Sequence, residues 1–381
     1  MQRETTSIVG IATDGCGEAP GFSAIELAAR ASLKAIADAG LEVDEIDGLF
    51  GILPQDPFGT LTMAEYLGVR PRITDNNRTG GSSFEQQAMH AALCLEAGLC
   101  KAALIFYGSV QRSMSRKLVT SKSPPFPYED TYRPFNPPSS YALAASRHMH
   151  EFGTTQRQLA QVAVSAREWA NLNPEAFMQG ELSIEDCLNA RMVSDPLTVR
   201  DCCLVTDGAA AIVMVKNDRA RDCPKPPVHL LGGASATWHR YISQATDICT
   251  TAAAESGPAA FAAGGCTVAD VDLVMLYDAF TINTLLFLED LGFCGKGEAG
   301  PFVESGAISP GGSLPVNTNG GGLSCVHPGM YGLFMIVEAA SQIRGEAGAR
   351  QIDECDLALV HANGGVLSSQ STLILGSEMA R

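Results

Sequence analysis

The chain repeats itself, and that constrains its fold more than any other feature. GLEVDEIDGLF at 40–50 lines up with GCTVADVDLVM at 265–275, with Gly, Val, Asp and a strand at matching places. RITDNNRTGG at 72–81 resembles LPVNTNGGG at 314–322, each ahead of a helical stretch. AALIFYGS at 102–109 matches LALVHANGG at 357–365, and the closing runs IVMV and TLIL correspond as well. Similarity that keeps its order along the chain marks a duplicated unit. Within each copy, short β-rich runs alternate with helical stretches, the pattern of α/β architecture. Two such units bury a shared apolar face, so helices are expected to pack between two sheets. The halves are predicted at 1–245 and 246–381. Within the first half, at about 111–201, lies a Pro-punctuated stretch with helices of its own, which reads as an insertion.

Local signals agree with this plan. SIVGIAT at 7–13 reads as a buried strand. The Ala/Leu/Ile stripe from Ser23 to Ala39 predicts a helix that stops at Gly40. Gly15, Gly17 and Gly21 follow the first strand, but their GxGxxxG spacing and Pro20 fit a strand-to-helix turn better than a dinucleotide site. His148 and His150 beside Glu151 would put their rings on different faces of a helix, a poor metal-ligand geometry, so no metal is expected.

Charge narrows the partners. Lys and Arg number 26 against 42 Asp and Glu, a formal net charge of -16. Such a surplus of acid argues against broad binding of nucleic acid or of an anionic membrane surface, which calls for clustered cations. No apolar run approaches the ~18 residues of a membrane span. MQRETTS at the N-terminus has no hydrophobic leader region, so a cytoplasmic location is expected. The 12 cysteines are dispersed without a CxxC pair, which suits a reduced protein using Cys as a small core residue. Whether one of them is a nucleophile stays open at this point.

The segment richest in chemistry is NTNGGGLSCVHPGMYG at 317–332. Gly320 to Gly322 allow a tight turn and close approach to backbone. His327-Pro328 stands at a predicted helix start, where a ring nitrogen and backbone N–H groups can together hold an oxyanion.

With the duplicated halves, the insertion, DGAAA at 207–211 and this His327-Pro328 motif, the chain resembles the thiolase superfamily, on its sterol-carrier-protein-type branch. The resemblance covers nearly the whole length. It implies a thiolase fold: duplicated βαβαβαββ halves in a layered αβαβα core with an inserted loop region. It also implies that His327 binds a thioester oxygen. Val326 replaces the usual Gly before that His. Larger departures concern the thiols. Where thiolases carry a nucleophilic Cys, in a stretch resembling NNCATGS, this chain has Arg78 in NNRTGGS. Where a second Cys belongs, in a CxGGG-like turn, it reads His361-Ala362-Asn363-Gly364-Gly365. Without those thiols, two-step acyl transfer through a covalent intermediate is not expected.

A different chemistry is implied instead. The box that reads NEAF or HDCF in thiolases is Tyr277-Asp278-Ala279-Phe280 here, and Tyr331 follows His327 by four residues. Two phenols near an oxyanion site suit proton transfer to and from oxygen. This resembles the cysteine-lacking bacterial steroid side-chain aldolases, which cleave a β-hydroxyacyl-CoA to a ketone and an acyl-CoA. The resemblance implies catalysis by Tyr277, Tyr331 and His327, with Gly321, Gly322, Asn283, His361 and Arg78 holding the oxyanion or positioning substrate. CoA would enter as part of the substrate, with no tightly bound cofactor. Arg112, Arg116 and Lys117, with Lys122, form a basic run that either meets the CoA phosphates or is a solvated or subunit-contacting loop. A homodimer with a small OB-fold and zinc-ribbon partner is implied as well. Two alternatives stand beside this reading: an acyltransferase working through Cys325 or without a covalent intermediate, and a non-catalytic scaffold for a partner enzyme.

Overall fold

The computed structural model describes residues 5–115 and 127–380. Its backbone is a nine-stranded sheet. The strands are β1 (Thr6–Gly17), β2 (Gly48–Ile52), β3 (Ile73–Asp75), β4 (Ala102–Ser109), β5 (Asp207–Lys216), β6 (Val228–Thr237), β7 (Leu273–Leu276), β8 (Leu357–Gly364) and β9 (Ser369–Gly376). Their order is β3-β2-β4-β5-β1-β6-β9-β8-β7. In the first half β2 is parallel to β3 and β4, β4 antiparallel to β5, and β5 antiparallel to β1. In the second, β7 is parallel to β8, β8 antiparallel to β9, and β9 antiparallel to β6. A single parallel bridge from Val316 to Val274 stands for β3. The sequence repeat is thus a repeat of pairing. The halves join through Ser7 opposite His229 and Ile8 opposite Val228. The second set of strands opens at Val228 with β6.

Helices fill the layers. α1 (Ala24–Asp38) starts at a capping box of Ser23 and Glu26 and buries one face, with Leu27, Ala31, Ala35 and Ile36 turned inward. It packs on β1, β4 and β5, while α5 (Ala253–Gly264) packs on β6 and β9. Between them, α2 (Ser83–Glu96) and α7 (Gly332–Ile343) touch each other and strands of both halves. The halves of this one continuous sheet supply both β layers, where two sheets were expected, and the layers run α, β, α, β, α. α7 is apolar on nearly all sides, as a helix buried all round must be, and its one carboxylate, Glu338, meets Arg350 at 2.9 Å. β4 is buried from end to end, the signature of a strand covered on both faces.

The connection from β4 to β5 carries α3 (Pro138–Phe152) and α4 (Gln156–Asn171). α4 packs on a π-helical turn at Gly321–Cys325 and on α6 (Thr281–Asp290), so the insertion covers one end of the second half. His148 of α3 is fully used there, bonded to Thr154 at 2.7 Å and to Glu289 at 3.0 Å. No helix among the described residues is long and apolar enough to cross a membrane.

Candidate active site

β7 ends at Leu276, and the next four residues, Tyr277 to Phe280, lead into α6. Alternation sends consecutive side chains to opposite sides. The Tyr277 ring faces a cavity, and Asp278 faces the Gly321–Cys325 turn. There the Asp278 carboxylate accepts the N–H groups of Gly322 at 2.6 Å and Leu323 at 3.3 Å. Burial pushes Asp278 up to about 7 against those donors. Gly321 sits at φ +65, and a Cβ there would come 2.0 Å from Asp278 Oδ2. Only glycine fits.

The turn delivers His327 to the cavity, with its backbone N–H on Thr206 Oγ1 at 3.0 Å. His327 Nε2 lies 3.1 Å from Tyr277 Oη, with the rings edge to face. Tyr277 Oη also accepts the backbone N–H of Tyr331 at 3.2 Å. Burial drives both groups toward their neutral forms. His327 falls from 6.5 to about 4, and Tyr277 rises well above 10. His327 Nδ1 is buried with no hydrogen-bond partner among the described residues.

The cavity holds about 420 Å³. Tyr277, His327, Gly80, Gly81, Asn363 and Tyr141 line its polar end, while Phe135, Pro138, Phe280 and Met330 make apolar wall. Among the described residues, Arg191 is the cation on that wall. At the head of α2 the backbone of Gly81 lies against the Tyr277 ring. A Cβ on residue 81 would lie 2.1 Å from Tyr277 Cε2 and 2.4 Å from Cζ. The phenol takes the space that a side chain at the helix start would fill.

Known proteins with this architecture identify the family. Residues 234–377 match the model described as thiolase C-terminal domain-like. The chain is 34% identical to a 17-hydroxy-3-oxo-4-pregnene-20-carboxyl-CoA lyase of Mycobacterium tuberculosis, over 97% of this chain and 98% of that one. It is 33% identical to a steroid side-chain-cleaving aldolase of Thermomonospora curvata, over 98% of each chain. The solved structure of an Ltp2-ChsH2(DUF35) aldolase superposes with a TM-score of 0.90 at 31% identity, covering 99% of both chains. The chain belongs to the thiolase superfamily. Human mitochondrial 3-ketoacyl-CoA thiolase shares the fold at a TM-score of 0.73 and 14% identity, covering 98% of this chain and 99% of that one.

Within this thiolase fold, the residues singled out by sequence divide. Tyr277 and His327 meet in the cavity. Tyr331 does not line it: its phenol is fully buried and donates to Asn319 Oδ1 at 2.8 Å, while its backbone N–H bonds Tyr277 Oη and its ring meets the Tyr277 ring edge to face at 5.9 Å. Gly321 and Gly322 offer no free donors, since Gly321 N–H bonds Asn319 Oδ1 at 2.9 Å and Gly322 N–H bonds Asp278. Asn283 supports the site from behind, donating to the Tyr277 carbonyl at 3.2 Å. Arg78 is exposed and donates to the Pro54 carbonyl at 3.0 Å. Position 78 lies in the loop before α2, where a guanidinium keeps its hydration, and Gly80 and Gly81 face the cavity in its stead. His361 is wholly buried between Thr372 at 2.8 Å and Gln370 at 3.0 Å. Its strand neighbour Asn363, two residues on, reaches the cavity. Arg112 is paired with Glu18 and stacked on Phe177 at 4.6 Å. Arg116, Lys117 and Lys122 lie outside the described residues.

The thiols are equally telling. Cys325 faces a separate cavity, with Asn173 Nδ2 at 3.5 Å, and burial lifts it well above 9. Cys202 and Cys203, ordinary in sequence, do line the Tyr277 cavity. Burial pushes Cys202 up to about 12 and Cys203 well above its usual range. A reactive thiolate needs the opposite shift. Tyr141 and Asn363 are the residues that sequence reading missed. The only signal was position, since Asn363 shares a face of β8 with His361.

Proposed function

We propose that this chain is a retro-aldolase that cleaves the CoA thioester of a bulky β-hydroxy acid, such as a steroid side-chain thioester, to a ketone and a shorter acyl-CoA. The observation that carries the reading is the Tyr277 phenol in the space of residue 81, bonded to a neutral His327, with no low-pKa thiol lining the cavity. The two relatives named for steroid side-chain chemistry support it over full length. The apolar wall offers flat contact surface for a fused ring system.

The proton balance follows from the geometry. Tyr277 Oη already accepts the Tyr331 N–H, so its own proton points to His327 Nε2, and His327 Nδ1 carries the ring proton. The substrate hydroxyl passes its proton to Tyr277 Oη while the Tyr277 proton moves to His327 Nε2. The C–O pair becomes the ketone C=O, the Cα–Cβ bond breaks, and its electrons form the thioester enolate. His327 Nδ1–H holds the enolate oxygen, and this donor strengthens as the ring becomes imidazolium. The proton then returns through Tyr277 to Cα. No group is consumed.

CoA would enter as part of the substrate, with Arg191 of the cavity wall as a cation for its anionic groups. Assembly with a small OB-fold and zinc-ribbon partner, around a homodimer, belongs to the same proposal. A DUF35 partner in the related aldolase structure supports a heteromer. The test is incubation of the purified chain with a tertiary β-hydroxyacyl-CoA, with and without such a partner, followed by chromatography. Ketone and acyl-CoA in equal amounts are expected; neither product with the partner present sinks the reading.

A further inference from the structure

Behind the cavity runs a hydrogen-bond chain of buried side chains that does not include Tyr277 or His327. Ser256 Oγ lies 3.0 Å from Thr372 Oγ1, and Thr372 Oγ1 lies 2.8 Å from His361 Nδ1. His361 Nε2 is 3.0 Å from Gln370 Oε1. Gln370 Nε2 donates to Asn363 Oδ1 at 2.9 Å, and Asn363 Nδ2 donates to Tyr141 Oη at 2.9 Å. Tyr141 Oη donates to the Gly365 carbonyl at 3.1 Å.

Its direction is determined. An amide oxygen only accepts, so the Gln370 oxygen makes His361 Nε2 the protonated nitrogen, and Nδ1 takes the Thr372 hydroxyl proton. Burial keeps that imidazole neutral, lowered to about 3. The chain therefore ends by pinning one lone pair of Tyr141 and turning its proton outward. The ring cannot swing away, because it is stacked on Phe280 at 4.3 Å and 23°. Tyr141 and Gly365 both line the cavity, as Tyr277 does. Tyr331, the second phenol expected there, is turned toward Asn319.

We propose that Tyr141 is a catalytic residue whose phenol exchanges the Gly365 carbonyl for the substrate's β-hydroxyl oxygen and turns the hydroxyl proton toward Tyr277. His361, Gln370 and Asn363 are its positioning residues. No bond to Tyr141 is made or broken: it keeps its proton while the oxygen it holds passes from alcohol to ketone. This rests on the retro-aldol reading above, which supplies the hydroxyl.

Two measurements on the full chain with its partner separate that reading from this inference. The first compares turnover of a tertiary β-hydroxyacyl-CoA by wild type, Tyr141→Phe, Asn363→Ser and the double variant. The second compares binding of that thioester and of its deoxy analogue by Tyr277→Phe and by Tyr277→Phe/Tyr141→Phe. Expected is a fall in kcat of about 100-fold for Tyr141→Phe, the scale of one lost oxyanion donor, with KM changed far less. Asn363→Ser falls too, and the double variant is no slower than Tyr141→Phe, since Asn363 acts through the phenol. Preference for the hydroxyl thioester is expected to vanish with Tyr141. Wild-type cleavage with undiminished kcat in Tyr141→Phe overturns the inference and leaves the reading standing. Absent cleavage with the hydroxyl preference lost in Tyr141→Phe sinks the reading and keeps the contact. Absent cleavage with the preference unchanged sinks both.

Discussion

The Tyr277 ring occupies the volume that a side chain on Gly81 would need, 2.1 Å from where its Cβ would lie. In a thiolase fold the head of this helix is where a thiol is expected. Here an aromatic ring from the other half fills that space, and under the proposed retro-aldol reading acid–base chemistry on oxygen takes the place of attack by sulfur. The Tyr277 ring therefore requires glycine at 81.

Gly81→Ala should displace Tyr277 from His327. Overpacking a filled site costs about 1–3 kcal/mol, so the variant is expected to fold with a lowered Tm. Turnover of the β-hydroxyacyl-CoA should fall about 100-fold, equivalent to about 2.7 kcal/mol in the barrier. Unchanged turnover would mean that the ring's place is incidental.

The two tyrosines should separate. Tyr277→Phe removes the proton carrier, and a loss of about 10²–10⁴ in kcat is expected. Tyr331→Phe keeps the backbone N–H that Tyr277 uses and loses only a buried bond to Asn319, a stability cost of about 1 kcal/mol. Equal kinetic losses in the two variants would contradict the orientation described here.

Alkylation should be harmless. Buried, protonated thiols react poorly, so iodoacetamide near neutral pH is expected to leave turnover within about twofold, although Cys202 and Cys203 line the cavity. Loss of activity that substrate protects against would instead favour acyl transfer through a thiol.

Acid should weaken the fold through its buried imidazoles. His361 and His327 are lowered from 6.5 to about 3 and about 4. Between those values and 6.5 the unfolded chain binds protons that the folded chain does not, so stability falls as pH falls through this window. Asp278, raised from 3.8 to about 7, acts in the opposite sense over an overlapping range. The clean readout is a difference: denaturant unfolding of wild type and His361→Gln from pH 7 to pH 4. Wild type should lose stability relative to the variant on acidification. A pH-independent difference would show that His361 is not held neutral.

Much of this was legible in the sequence, for reasons that can be named. The duplication was readable because each half must bury the same strand pattern, and the His327 motif because glycines mark its turn, whereas Tyr277 was found only through its likeness to the NEAF or HDCF box of thiolases. Arg78 aligned with a thiol by residue count, but a helix start is set by backbone geometry, and the cavity is met at Gly80 and Gly81. His361 drew notice as the odd residue in a familiar turn, whereas Asn363, one strand step on, does the reaching. Tyr331 pointed the other way because the backbone at the head of α7 turns its ring toward Asn319. Tyr141 comes from the insertion, where no periodicity announces a cavity-facing phenol.

The most direct test of the account is turnover in D2O followed by mass spectrometry of both products and intact protein. Expected is one ketone per acyl-CoA, one deuterium at Cα of the acyl-CoA, and enzyme of unchanged mass throughout. An acylated enzyme during turnover, or an acyl-CoA without deuterium at Cα, would contradict it.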